Sequence, residues 1–141
     1  MRTFTNDIII ITLTFASLMT IVIGYAWNRT PPIWKGLIAE ASSEGYEGMK
    51  AVALVCRNRM DKGMGIGLNG LKRKDLDKFI RKEGKEKERL AKKIVREVFK
   101  ERCSDITNGA IYFENIEKFN EPDWLRQRTK TIKLGNHTFY K

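Results

Sequence analysis

Apolar residues fall along this chain in three different rhythms. The first is unbroken. From Ile8 to Trp27 there are 20 positions without a charged side chain. About 20 apolar residues carry a helix across the hydrocarbon core of a bilayer, whereas the apolar part of a signal peptide runs to about 7–15. The run therefore predicts an uncleaved signal anchor over residues 1–27. Gly24-Tyr25-Ala26 also offers a small-x-small cleavage site, so a cleaved signal peptide is the alternative. A core helix of a globular domain does not fit, because the run has no polar face.

The second rhythm is helical. Thr30-Pro31-Pro32 reads as a helix start, with Thr30 as N-cap and proline in the first turn. Ile33, Leu37, Ile38 and Ala41 follow at helical spacing, and this helix is expected to end near Ser43 to Gly45. Another begins about Glu47, whose acid suits an N-terminus. Met49, Val52, Ala53, Val55 and Cys56 give it a wide apolar face, which predicts the central buried helix. After a glycine-rich loop over residues 61–70, two amphipathic helices are expected between Leu71 and Arg102. Leu76, Phe79 and Ile80 form one stripe, Leu90, Ile94, Val95, Val98 and Phe99 the other, and Gly84 breaks them.

The third rhythm is that of strands. Asp, Asn and Gly in "DITNGAIYFEN" mark a turn, and Ala110 to Phe113 reads as a short extended segment. Thr131 to Leu134 and His137 to Tyr140 flank Gly135-Asn136, a two-residue hairpin turn of the primed type. The expected fold class is α+β, mainly helical, with a small C-terminal β-hairpin behind an N-terminal transmembrane or signal-anchor helix. The expected units are the anchor or signal peptide at 1–27, a tether at 28–32 and one domain at 33–141.

Charge adds a partner class. The chain carries 27 Lys and Arg against 17 Asp and Glu, a net +10. Arg2 and Asp7 cancel, so all of it lies on residues 28–141. Charge bias alone would keep that part on the inner, cytoplasmic side of the membrane, but long domains translocate largely regardless of it. Such a balance attracts polyanions: nucleic acid, anionic lipid or anionic wall polymers. Residues 71–102, with 14 basic against 7 acidic side chains, are either a solvated face or a binding face. A nucleic-acid module would interleave aromatics with those bases. Phe79 and Phe99 fall on the apolar stripes instead, so no nucleic-acid partner is expected. Cys56 and Cys103 have no CxxC and no histidines at ligand spacing, which points away from zinc. They read as small core residues, with a disulfide between them open if the domain is exported.

Three ordered blocks carry a family resemblance. Glu40-Ala41, Glu44, Tyr46-Glu47-Gly48, Ala51-Val52-Ala53 and Asn58-Arg59 form the first. Thr107, Gly109, Ala110, Tyr112, Phe113 and Asn115 form the second, and Trp124, Ile132 and "LGNHTFY" the third. Together the chain resembles the SleB-type cell wall hydrolases, the spore cortex-lytic enzyme family. It departs from them over residues 61–90, which are glycine-rich and then lysine-rich. The resemblance implies a lysozyme-like, mainly helical fold, cleavage of the MurNAc–GlcNAc bond of peptidoglycan, and lytic transglycosylation. It also implies that Glu40 is the catalytic residue. Peptidoglycan and, through residues 8–27, the membrane are then the partners. The domain would face the wall or periplasm, or be secreted if the segment is cleaved.

The chemistry fits one carboxyl. A glycosidic oxygen leaves only when protonated, and a carboxylic acid supplies that proton when burial disfavours its anion. Leu37, Ile38 and Ala41 are the apolar neighbours expected to bury Glu40. A lytic transglycosylase needs no second carboxylate, because the sugar's own C6 hydroxyl attacks. A hydrolytic muramidase would need one, and Glu44, one helical turn on, is the first candidate. Its other reading is a hydrogen bond at the helix end. Tyr112 could orient the sugar, Asn108 and Gln127 could bond N-acetyl groups, and Trp124 could stack on a sugar face. His137, the only histidine, reads as structural in the hairpin. Arg57 and Arg59 read as supports of the glutamate loop, as ligands of stem-peptide carboxylates or as members of structural ion pairs. No cofactor or metal is required. The rival class is a membrane-tethered basic module that binds an anionic polymer or nucleic acid without catalysis.

Overall fold

A computed structural model describes residues 32–141 of the chain. The predicted anchor, the first four tether residues and the Thr30 cap lie outside the described residues. Among the described residues no helix is long and apolar enough to cross a membrane.

Helix α1 spans Ile33–Ala41 and is entered from Pro32, which has no side chain to cap it. Helix α2, Gly45–Asp61, begins two residues before the predicted start, with Glu44 in the N-cap position. Every residue from Met49 to Cys56, Lys50 aside, is at most 1 % exposed. Apolar on all sides, α2 is the axis of the domain, as its pattern predicts. Helix α3, Leu76–Glu83, and helix α4, Lys85–Val95, are separated by Gly84, whose φ of +90° suits glycine alone. A π-type turn, Arg96–Lys100, extends α4. Ile80, Ala91, Ile94 and Val98 are buried against α1 and α2, while the Lys and Arg of both helices stay on the outer face.

The sheet is larger than the predicted hairpin. β1, Tyr112–Glu114, β2, Lys130–Leu134, and β3, His137–Tyr140, form a sheet in the order β1-β3-β2, both pairs antiparallel. The predicted extended segment supplies the third strand, with Tyr112 opposite Tyr140. In the turn, Leu134 pairs His137 and only Gly135 has a positive φ, +57°, which fits a primed turn with glycine first. β3 is the central strand, and all four of its residues are buried.

One acidic side chain ties the helical part to the sheet. Asp105 accepts from the Thr107 amide at 2.8 Å, its hydroxyl at 2.6 Å, the Gly109 amide at 2.9 Å and Asn58 Nδ2 at 2.9 Å. Asn58 Nδ2 also donates to the Ala110 carbonyl at 3.0 Å. The end of α2 is thereby locked to the turn that launches β1. Asn108 and Gly109 cross that turn at φ +56° and +79°, a conformation that Asn and Gly tolerate. Burial opposes the Asp105 charge, but these donors outweigh it and hold the carboxyl below its ordinary range. Asp105→Ala strands four donors at once. It should cost about 3 kcal/mol, read as a lower urea midpoint with an unchanged slope.

Cys56 and Cys103 are free thiols, and burial pushes the Cys56 thiol up to about 12, so it is an inert core residue.

Candidate active site

A cleft of about 550 Å³ opens where the C-terminal half of α1, the end of α2 and β1 meet. Ala39, Glu40, Ser43 and Glu44 form one wall, Val55 and Arg59 of α2 lie beneath, and Ile111 to Asn115 form the other wall. His137, Lys118, Phe119 and Trp124 complete it.

Glu40 lies on the cleft, half-buried. Its Oε1 accepts from the Gly70 amide at 2.6 Å, and among the described residues Oε2 makes no hydrogen bond. Gly70 belongs to a 3-10 turn, Asn69–Lys72, which crosses α1 so closely that a Cβ there would fall 2.5 Å from the Ala39 Cβ. Glycine is what lets this amide reach the carboxylate. The apolar neighbours expected to surround Glu40 do something else. Leu37, Ile38 and Ala41 are each 0 % exposed in the core, and none lines the cleft. A helix sends adjacent residues to different sides, so the carboxyl meets the Gly70 turn and the cleft rather than its sequence neighbours.

Glu44 is held differently. Its Oε2 accepts from the Asn136 amide at 2.8 Å and its Oε1 from Asn136 Nδ2 at 2.9 Å, and its side chain is 4 % exposed. This is the helix-end hydrogen bond of the two readings offered by the sequence, reaching across to the hairpin. Burial pushes the Glu44 carboxyl up, but the Asn136 donors, the nearby imidazole and Ser43 outweigh it and hold it below its ordinary range. His137 Nδ1, 3.9 Å from Glu44 Oε1, is buried with no hydrogen-bond partner. Burial lowers this imidazole, against the pull of the Glu44, Glu40 and Glu114 carboxylates.

These shifts give stability a direction in pH. Both groups are depressed in the fold, so the unfolded chain binds protons more readily. Stability contributed by His137 is present above its ordinary value of 6.5 and is lost as pH falls below it. That of Glu44 follows below its ordinary 4.5. The thermal midpoint should decline on acidification from pH 7, and His137→Gln should flatten the upper part of that decline while leaving the lower part.

The other sequence candidates divide. Tyr112 and Trp124 both line the cleft, edge to face with ring centres 5.4 Å apart. Trp124 is 48 % exposed, which fits a contact surface rather than packing. Asn108 and Gln127 do not line the cleft. Asn108 is exposed in its left-handed turn and Gln127 is exposed after the 3-10 turn Asp123–Leu125. Among the described residues Arg57 and Arg59 make no ion pair; they donate to carbonyls, Arg57 to Cys103 at 2.7 Å and Arg59 to Gly65 at 2.6 Å. His137, at the start of β3, is buried and lines the cleft. Glu114, Lys118 and Phe119 line the cleft without having been singled out. Strand alternation could have found Glu114, two residues on from Tyr112 and therefore on its face. Among the described residues no group of three His, Cys, Asp or Glu is placed to hold a metal ion.

A protein-family model described as Cell Wall Hydrolase matches residues 69–140, just over half of the chain. The match takes in the Tyr112 block and the hairpin and begins after the Glu40 block. No curated protein and no solved structure matches the chain.

Proposed function

This chain belongs to the cell wall hydrolase family, and from that premise we propose that it cuts the glycan strand of peptidoglycan at the MurNAc–GlcNAc bond as a lytic transglycosylase. Glu40 is the proposed acid and base. The observation that supports this most is the pairing of the two glutamates. Glu40 has one oxygen fixed by the Gly70 amide and the other uncommitted at the cleft. Glu44 has both oxygens bonded to Asn136 and is almost wholly shielded. One carboxyl is arranged to exchange a proton and the other to hold the hairpin.

The proposed course follows from that. Protonated Glu40 donates to the glycosidic oxygen as the bond to C1 breaks, and positive charge spreads over C1 and the ring oxygen. Glu40, now a carboxylate, accepts the proton of the sugar's C6 hydroxyl as O6 bonds to C1. The products are one strand with a free 4-hydroxyl and one ending in a 1,6-anhydro sugar, and no water is consumed. Tyr112 and Trp124 bind along the sugar row. The protein works on the outer side of the membrane, held there by residues 1–27 if that segment is retained.

Hydrolysis is the second reading, and Glu114 favours it, as a further carboxylate lining the same cleft. Product masses separate the two. Transglycosylation yields fragments one water lighter per cut than hydrolysis does. Hydrated reducing ends would overturn the first reading and make Glu114→Gln the next variant.

A further inference from the structure

We propose that the end of the cleft around Arg59 is a carboxylate-binding subsite, which takes acidic groups carried on the glycan strand. This rests on reading the cleft as a glycan-strand site. Arg59 is half-buried, and its guanidinium is fixed from three sides by neutral partners. Nε donates to the Gly65 carbonyl at 2.6 Å, Nη1 donates to the Ile111 carbonyl at 3.1 Å, and the group lies 5.8 Å from the centre of the Tyr112 ring. A Cβ on Gly67, which has a φ of +80°, would fall 2.6 Å from Nε, so this glycine leaves the space the guanidinium fills. Among the described residues no carboxylate forms an ion pair with Arg59 and no acceptor takes its Nη2. A cation held out of water without a counter-ion is costly, and the cost falls when an anion enters the cleft.

Arg128 shares the Tyr112 ring with Arg59, and one further cation lines the same cleft. Arg128 covers the Tyr112 ring at 4.8 Å, and Lys118 lines the cleft. Among the described residues neither has an acidic partner. Some cations elsewhere on the surface do have acidic partners, as Lys35 has Asp77 and Arg102 has Asp61. The acids that share the cleft are committed locally: Glu44 to Asn136, and Glu114 to the amide of Asn115 at 3.1 Å. The cleft therefore holds both the Glu40 carboxyl and cations that have no acidic partner among the described residues. Carboxylates reach it from two sources on a peptidoglycan strand: the lactyl group of muramic acid once its peptide is removed, and the stem peptide itself.

The test measures binding of the full chain, carrying Glu40→Gln to prevent turnover, to three ligands. These are peptide-bearing strands, strands stripped by an amidase to leave free lactyl carboxylates, and strands whose carboxyls are blocked as neutral methylamides. Adding Arg128→Ala with Lys118→Ala should weaken binding of carboxylate-bearing strands about fivefold and leave binding of blocked strands unchanged. Lys82→Ala with Lys85→Ala, on α3 and α4, removes the same charge away from the cleft and should leave both unchanged. Whichever carboxylate-bearing strand responds to the rim variant names the source. An equal loss in the α3 and α4 variant, or no difference between native and blocked strands, overturns the subsite alone. Failure to bind any strand overturns the glycan reading with it.

Discussion

Glu40→Gln should abolish glycan cleavage, by about a thousandfold or more, and leave the fold unchanged. General acid–base catalysis by a placed side chain contributes on the order of 10²–10⁴-fold, and in the proposed course one carboxyl serves both halves of the reaction. Glutamine keeps the shape and still offers an oxygen to the Gly70 amide, which now sits 2.6 Å from Oε1. It cannot give up a proton to the leaving oxygen or accept one from the C6 hydroxyl. The full chain is incubated with purified peptidoglycan and soluble products are counted by mass spectrometry, beside a thermal melt of each protein. Glu40→Asp should sit between the two, because the shorter side chain withdraws the carboxyl from the bond while keeping its chemistry. A glutamine variant that cuts at the parent rate would place the acid elsewhere, and Glu114 is the carboxylate to try next.

Gly70→Ala should reduce cleavage about a hundredfold without touching a reacting group. The added Cβ would lie 2.5 Å from the Ala39 Cβ and 3.4 Å from Glu40 Oε1. Neither Cβ can rotate away, so the 3-10 turn must retreat from α1 and take its amide with it. Overpacking of this kind costs about 1–3 kcal/mol, and misplacing a reacting group by about 1 Å costs on the order of a hundredfold in rate. The pairing offers its own control. Ala39→Gly removes the obstructing methyl, at a helix cost of about 1 kcal/mol, and should restore most of the rate when combined with Gly70→Ala. Activity lost in Gly70→Ala and not regained in the double variant would mean that the turn does not act through Glu40.

What the sequence displayed and what it hid follow from the range of the forces concerned. Helices α1 to α4 were legible because an apolar stripe is a local signal. Of the residues the stripes mark, Leu37, Ile38, Met49, Val52, Ile80, Ile94 and Val98 all lie in one core. The hairpin was legible because Gly135-Asn136 sets its own turn. The partner of Tyr112–Glu114 was not, since Tyr112 pairs with Tyr140 and nothing local encodes that choice. The same limit governs the cleft. Tyr112 and Trp124 were found by residue type, as large rings with a polar edge. Asn108 and Gln127 were chosen on the same ground and do not line the cleft, because an amide in a loop carries no information about where it points. Asp105 lay in plain view as a turn former, but its bond to Asn58 joins positions 47 residues apart.

The bond between Glu44 and Asn136 spans 92 residues. Closing a loop of that length costs about 4 kcal/mol in chain entropy before any contact rewards it, so the two walls of the cleft come together only as the rest of the domain folds. The helices can form from near neighbours, while the cleft depends on the longest-range contact. Lifting the hairpin is then a partial unfolding that opens the cleft wall and uncovers the core at Phe139.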